Sequence, residues 1–202
     1  MRNGTGSLDE REEASTASLA LVAGLLIGVA ITVVLATAPF TSLIGHSRAA
    51  LAAAFHGLSA FLYLIVGTIG LYLGWRLFAG RIRAFADLQL LATVSATLSL
   101  IAIVFGNWLY IFYRAADPAS PRSWFMANMP MIHKIFFEFK EFIALFTLPL
   151  TVAAGFILWY YGAGVLDRKW MRYTVAVLLA LSFFYLVIAF GLGAAVTKLR
   201  PA

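Results

Sequence analysis

The feature that most constrains this chain is a recurring gap in its charges. Asp, Glu, Lys and Arg are absent from 14–47, 49–75, 88–113, 142–166 and 173–197. A hydrocarbon core about 30 Å thick is crossed by about 20 helical residues. Every gap is long enough, the first through its apolar part at 19–38. Barrel strands would be about ten residues each, with two-residue alternation, a pattern these runs lack. Of the 202 residues, 62% are hydrophobic and 12% charged, against about 25% charged in an ordinary soluble domain. Mean hydropathy is +0.91. That arithmetic excludes a soluble globule, a coiled coil, a disordered chain and a nucleic-acid-binding domain. The expectation is an all-α, polytopic integral membrane helical bundle of five transmembrane helices. Its spans fall at about 18–39, 50–77, 86–113, 131–161 and 169–197.

Residues 1–16 are polar and small and read as a disordered tail ahead of a five-helix domain over 17–202. The first run is read as a retained span, not a signal peptide. Its leader is acidic (Asp9, Glu10, Glu12, Glu13), and its apolar stretch exceeds the usual length of about 7–15 residues. Ala36-Thr37-Ala38 resembles a cleavage site, but Pro39 follows it. There is no cysteine, so disulfides, thiolate metal sites and thioether haem attachment are excluded.

The net charge of +6 sits at the ends of the apolar runs, where cations anchor helices and set orientation. One side carries Arg2, Arg11, Arg76, Arg81, Arg83, Arg168, Lys169 and Arg172; the other carries Arg48, Arg114, Arg122, Lys198 and Arg200. The bias predicts a multi-pass protein of the cell membrane with a cytoplasmic N-terminus and an outer C-terminus. Aromatics mark the same boundaries, with Trp75, Trp159, Tyr160, Tyr161, Trp170 and Tyr173 on the inner side and Trp108, Tyr110, Tyr113 and Trp124 on the outer.

Gly24-x-x-x-Gly28 and Gly70-x-x-x-Gly74 offer close helix approach. Pro149 lies inside the fourth span and cannot donate to the Leu145 carbonyl, so a kink is expected, with Thr147 or Thr151 relieving freed backbone groups. The outer segment 115–130 reads as a turn-rich loop ending with Asn128 as the cap of the fourth span. A weak repeat at an offset of 85 aligns His56 with Glu141 at equal depth.

Ionisable groups on membrane helices default to functional hypotheses, and this chain concentrates them. The fourth span opens with His133, Lys134, Glu138, Lys140 and Glu141 among phenylalanines, and the second carries His56 near its start. The two spans run in the same direction, so both polar starts lie on the predicted outer side. At about 1.5 Å per residue, His56 and Glu141 sit near the edge of the hydrocarbon, and His133 about 12 Å further out. At about 100° per residue, Lys134, Glu138 and Glu141 share one face, with Lys134 and Glu138 spaced as an i,i+4 pair. His133 and Lys140 share a neighbouring face. His46, in the loop before the second span, reads as a solvated histidine. Tyr63 and Tyr185 lie within spans as packing groups, and Asp87 and Gln89 open the third.

Three readings stand side by side. His56 and His133 ligate a b-type haem between the second and fourth spans. Alternatively, His56, His133, Glu138 and Glu141 form a metal or proton site. In the third, Lys134, Glu138 and Glu141 form an interfacial ion-pair cluster and His56 is a satisfied polar residue. No phosphate loop, nucleophile elbow or zinc-protease motif is present, and no arginine ladder for voltage sensing. The expected function is a small integral membrane subunit handling electrons or protons near the outer face, with haem b or a quinone as redox partner. The alternative is a non-catalytic scaffold or assembly subunit that docks a protein partner through the polar start of the fourth span. Partners therefore are the lipid bilayer, a protein of a membrane complex and a quinone, with no nucleic acid. A solute channel is the least favoured class.

Overall fold

A computed structural model describes residues 47–199. Four of the five expected spans fall there. The first span, the tail, Gly24, Gly28, His46 and the cleavage-like motif lie outside the described residues. The four long helices are α1 (Arg48–Phe78), α2 (Phe85–Tyr113), α4 (Glu138–Tyr161, entered through a π-helical turn at Ile132–Phe137) and α6 (Lys169–Leu199). Two short helices lie in connections: α3 (Pro121–Asn128) and α5 (Gly164–Asp167). Each of the four long segments is long and apolar enough to cross a membrane, and the described chain is all-helical.

Short connections make consecutive long helices antiparallel neighbours. The contacts close a ring in the order α1, α2, α4, α6 and back to α1, so α1 faces α4 across a diagonal. The ends are unlike. At one end lie His56, His133 and Tyr113; at the other lie Arg76, Arg81, Arg168 and Trp75. We call these the histidine end and the arginine end.

The ring is assembled on a seven-residue spacing, which is two helical turns. On α1 the inward positions are His56, Tyr63, Gly70 and Leu77; on α2 they are Ala92, Ser99, Gly106 and Tyr113. On α4 they are Lys140, Thr147 and Ala154, and on α6 Val175, Ser182, Ala189 and Val196. All of these are buried or half-buried. Large apolar side chains point the other way: Phe61, Ile65 and Ile69, Phe142, Phe146 and Phe156, Phe184 and Val187 are exposed. In water such a surface would drive aggregation. In a bilayer it is the lipid-facing coat, and small or polar residues inside let the backbones approach.

Gly67 and Gly74 provide that approach between α1 and α6. A Cβ on Gly67 would come within 2.9 Å of the Phe183 ring, and one on Gly74 within 3.5 Å of Leu179. Of the expected pair Gly70 and Gly74, Gly74 makes the contact and Gly70 lines a small cavity. Towards the arginine end the core is apolar, built from Leu77, Leu88, Ala92, Ala154, Leu158, Val165, Met171, Val175 and Leu179.

Two local expectations are corrected. The segment 115–130 holds helix α3, with Ser120 as N-cap accepting from the Ser123 amide and Pro121 in the first turn. Asn128 closes that helix and donates to the Trp124 carbonyl, so it caps nothing on α4. Around Pro149, the Thr147 hydroxyl donates to the Ala144 carbonyl and Thr151 to the Thr147 and Leu148 carbonyls. These oxygens flank the freed Leu145 carbonyl without reaching it.

Candidate functional site at the histidine end

α1 brings His56 against α2, where Nδ1 lies 2.8 Å from the Ala102 carbonyl oxygen. A carbonyl only accepts, so Nδ1 carries the hydrogen, and Nε2 of the neutral ring presents its lone pair. Gly106 makes this possible. A Cβ there would sit 3.0 Å from both Cε1 and Nδ1 of His56. Gly106→Leu is therefore expected to lift the ring off Ala102 and reproduce the phenotype of a His56 substitution, as read by loss of the His56 Nδ1–H signal in ¹⁵N NMR. Phe55 and Phe105 stack at 5.1 Å beside the imidazole.

Across the diagonal, α4 presents Lys140 and Glu141, both within electrostatic range of His56. Lys140 Nζ donates to Glu141 Oε1 at 2.6 Å. The Lys140 ammonium lies 4.8 Å from the Phe137 ring centre, and its stem runs along Gly193 of α6. Side-chain exposure is 12% for Lys140 and 28% for Glu141, so this pair is withdrawn from solvent enough to interact strongly.

A second polar node lies further out. His133 is buried, with Nδ1 2.9 Å from the Tyr113 hydroxyl and Nε2 3.5 Å from Glu138 Oε1. Glu138 pairs with Arg114 and lies 3.5 Å from the Tyr110 hydroxyl. Tyr113 stacks on Phe137 at 4.1 Å, and Arg114 covers Tyr110 at 4.5 Å. Phe125 of α3 is buried against this cluster, so the connecting segment roofs the node.

The π turn explains why sequence spacing misjudged the facing. The Glu138 amide bonds to the His133 carbonyl, five residues back. This extra residue in the turn puts His133 beside Glu138 and takes Lys134 away. The expected Lys134–Glu138 pair does not form: Glu138 turns to Arg114, and Lys134 stays exposed with no carboxylate partner among the described residues. The expected cluster of Lys134, Glu138 and Glu141 is thereby broken up: Glu138 and Glu141 belong to different nodes and Lys134 to neither.

His56 and His133 are also not brought to each other. His56 seats on Ala102 and Gly106, whereas His133 bonds Tyr113, two to three turns further along α2 and roughly 10–16 Å away along its axis. Two axial ligands of one iron would place their nitrogens about 4 Å apart, since a metal–imidazole bond is roughly 2 Å. The four residues of the alternative metal set do not converge, and no group of three or more His, Asp or Glu suited to a metal forms among the described residues.

Deeper still lies a hydroxyl layer that sequence reading missed. Tyr63 and Ser182 hydroxyls lie 2.5 Å apart, Ser182 donates to the Thr147 carbonyl, and Ser99 and Thr147 hydroxyls lie 2.7 Å apart. All four long helices join in this layer. Next to it is a cavity of about 10 Å³ lined in part by Tyr63, Ser95, Thr151 and Ser182, at the lower bound of what one water requires. The signal was present in the seven-residue recurrence of His56 with Tyr63, Lys140 with Thr147, and Ser99 with Gly106 and Tyr113. Comparisons with family models, curated proteins and solved structures return no match to this chain.

Proposed function

We propose that this chain is a small integral membrane subunit that handles protons at its histidine end, with His56 Nε2 as the acceptor. One observation carries the reading: the ion pairs among the described residues all lie towards one end, above a hydroxyl layer, while the core towards the other end is apolar. The lone pair of His56 is set by its bond to Ala102, and Lys140 and Glu141 supply a neighbouring charged pair. A quinone headgroup at the membrane surface is the redox partner such a site would serve. Haem b held jointly by His56 and His133 is the less supported form, given the axial distance between their seats on α2.

The test is proton uptake in proteoliposomes after a pH jump, followed with a pH dye. Uptake that His56→Gln removes and His133→Gln preserves supports the reading; equal uptake in all three overturns it. A reduced-minus-oxidised spectrum is expected to lack a b-type α band, and a strong band would restore the haem form.

The histidine end is assigned to the outer face of the cell membrane. The chain has no cysteine, so single cysteines report without background. Ala116→Cys is expected to react with an impermeant thiol reagent on intact cells, and Ala79→Cys only after permeabilisation; the reverse pattern would invert the topology.

The scaffold reading draws support from the outward face of the α4 entry, where Lys134 is exposed beside Met131 and Ile135. Under it, Lys134→Glu disrupts a complex and leaves proton uptake intact.

A further inference from the structure

The arginine end carries its own constellation. The last turn of α1 closes in a Schellman motif: the Gly80 amide bonds the Leu77 carbonyl at 2.9 Å and the Arg81 amide bonds the Arg76 carbonyl at 2.8 Å. Gly80 has φ +67°, a left-handed conformation that favours glycine. Arg172, in the first turns of α6, lies across this glycine, where a Cβ would stand 2.5 Å from Nη1. Its Nε is buried with no hydrogen-bond partner among the described residues. Arg76 reaches the same turn from α1, with Nε and Nη2 donating to the Arg81 carbonyl. The two guanidinium groups thus meet successive residues of one turn from two helices.

The surroundings are short of negative charge. Arg76, Arg81, Arg83, Arg168, Lys169 and Arg172 cluster here, and none pairs with a carboxylate among the described residues. Asp87 and Asp167 are the carboxylates of this end in the described chain, and neither enters an ion pair there. A buried guanidinium donor without an acceptor is costly unless an anion supplies one. Beside the turn, Phe78 packs on Tyr173 at 4.5 Å and on Trp75 at 5.7 Å. Trp75, Tyr173 and Trp170 are exposed, as aromatic side chains are at the headgroup level of a bilayer.

We infer that this turn is a binding site for the phosphate of an anionic phospholipid, held by Arg172 and Arg76 at the junction of α1 and α6. The phosphate oxygens accept from the Arg172 guanidinium in charge-assisted hydrogen bonds, and the aromatic group seats the glycerol and upper acyl region. A free phosphate would satisfy the same donors. The aromatic flank, which a lipid covers and a soluble ion does not, selects the lipid. The inference is independent of proton handling at the opposite end.

Native mass spectrometry of the full chain tests it, with phosphatidylglycerol and phosphatidylcholine offered separately. The chain is expected to retain phosphatidylglycerol in preference. Arg172→Gln should lower that retention about fivefold or more, whereas Arg48→Gln, at the histidine end, should leave it unchanged. Arg172→Lys keeps the charge but removes the Nε donor, and an intermediate loss is expected; it also guards against misfolding of the glutamine variant. Equal retention of the two lipids, or no change in either Arg172 variant, overturns the proposal. So does displacement of the lipid by inorganic phosphate at equal concentration. An Arg172→Gln effect that vanishes once Asp9, Glu10, Glu12 and Glu13 are neutralised would assign the cluster to the chain's own acidic segment and overturn it too.

Discussion

His56→Ala is expected to slow proton uptake at the histidine end by about a hundredfold, the lower range of the rate that a positioned acid–base group contributes. The size follows from the geometry. His56 is the one imidazole of the pair whose Nε2 has no protein partner among the described residues, while both nitrogens of His133 face side chains. His56→Gln separates a packing role from proton handling. Its amide retains a donor for the Ala102 carbonyl but has no group that binds a proton near neutral pH. Both variants should lose uptake, and the glutamine variant should keep the thermal stability of the parent. If His56→Gln retained uptake, the imidazole would be a structural tether between α1 and α2 and nothing more.

The second large effect is on stability. Thr147→Val is expected to cost about 1–2 kcal/mol, as a buried hydroxyl loses its partner in a setting without water. Thr147 is 4% exposed and its hydroxyl meets Ser99 while its carbonyl accepts from Ser182. The substitution keeps the shape and deletes the hydroxyl, leaving Ser99 unpaired. A double-mutant cycle with Ser99→Ala, read from reversible unfolding in mixed micelles, should show a coupling of about 0.6–1.7 kcal/mol. Strict additivity would mean that the pair contributes nothing and that the layer is only packing. Tyr63→Phe should cost less, since Ser182 still donates to the Thr147 carbonyl.

What could be read from the sequence divides along physical lines. The limits of the long helices followed from the absence of charge, because a bilayer imposes length and apolarity on any helix that crosses it. The expected 50–77 and 169–197 correspond to Arg48–Phe78 and Lys169–Leu199. The shared end of His56 and His133 followed from counting hairpins. Their mutual distance did not, because it depends on which carbonyl and which hydroxyl of α2 each ring reaches. Uniform helical rotation failed where the backbone departs from it. The π turn at Ile132–Phe137 replaced the i,i+4 partner Lys134 with the i,i+5 partner His133 at Glu138. No residue in IHKIFF announces a π turn; the turn buries His133 and Phe137, the latter against Phe125 of α3. Arg114 and Tyr113 went unassigned because they looked like an ordinary helix end and an interfacial aromatic. Gly106 was hidden for a different reason. Its role is the space it leaves for an imidazole on another helix, and that is visible only once the two helices are side by side.

The most direct measurement is the ¹⁵N spectrum of His56 in lipid bilayers as the bulk pH is varied on the histidine side. Nδ1 should remain protonated throughout, and Nε2 should take up and release a proton reversibly. A ring whose Nε2 never changes its proton as the bulk pH moves would contradict proton handling by this site.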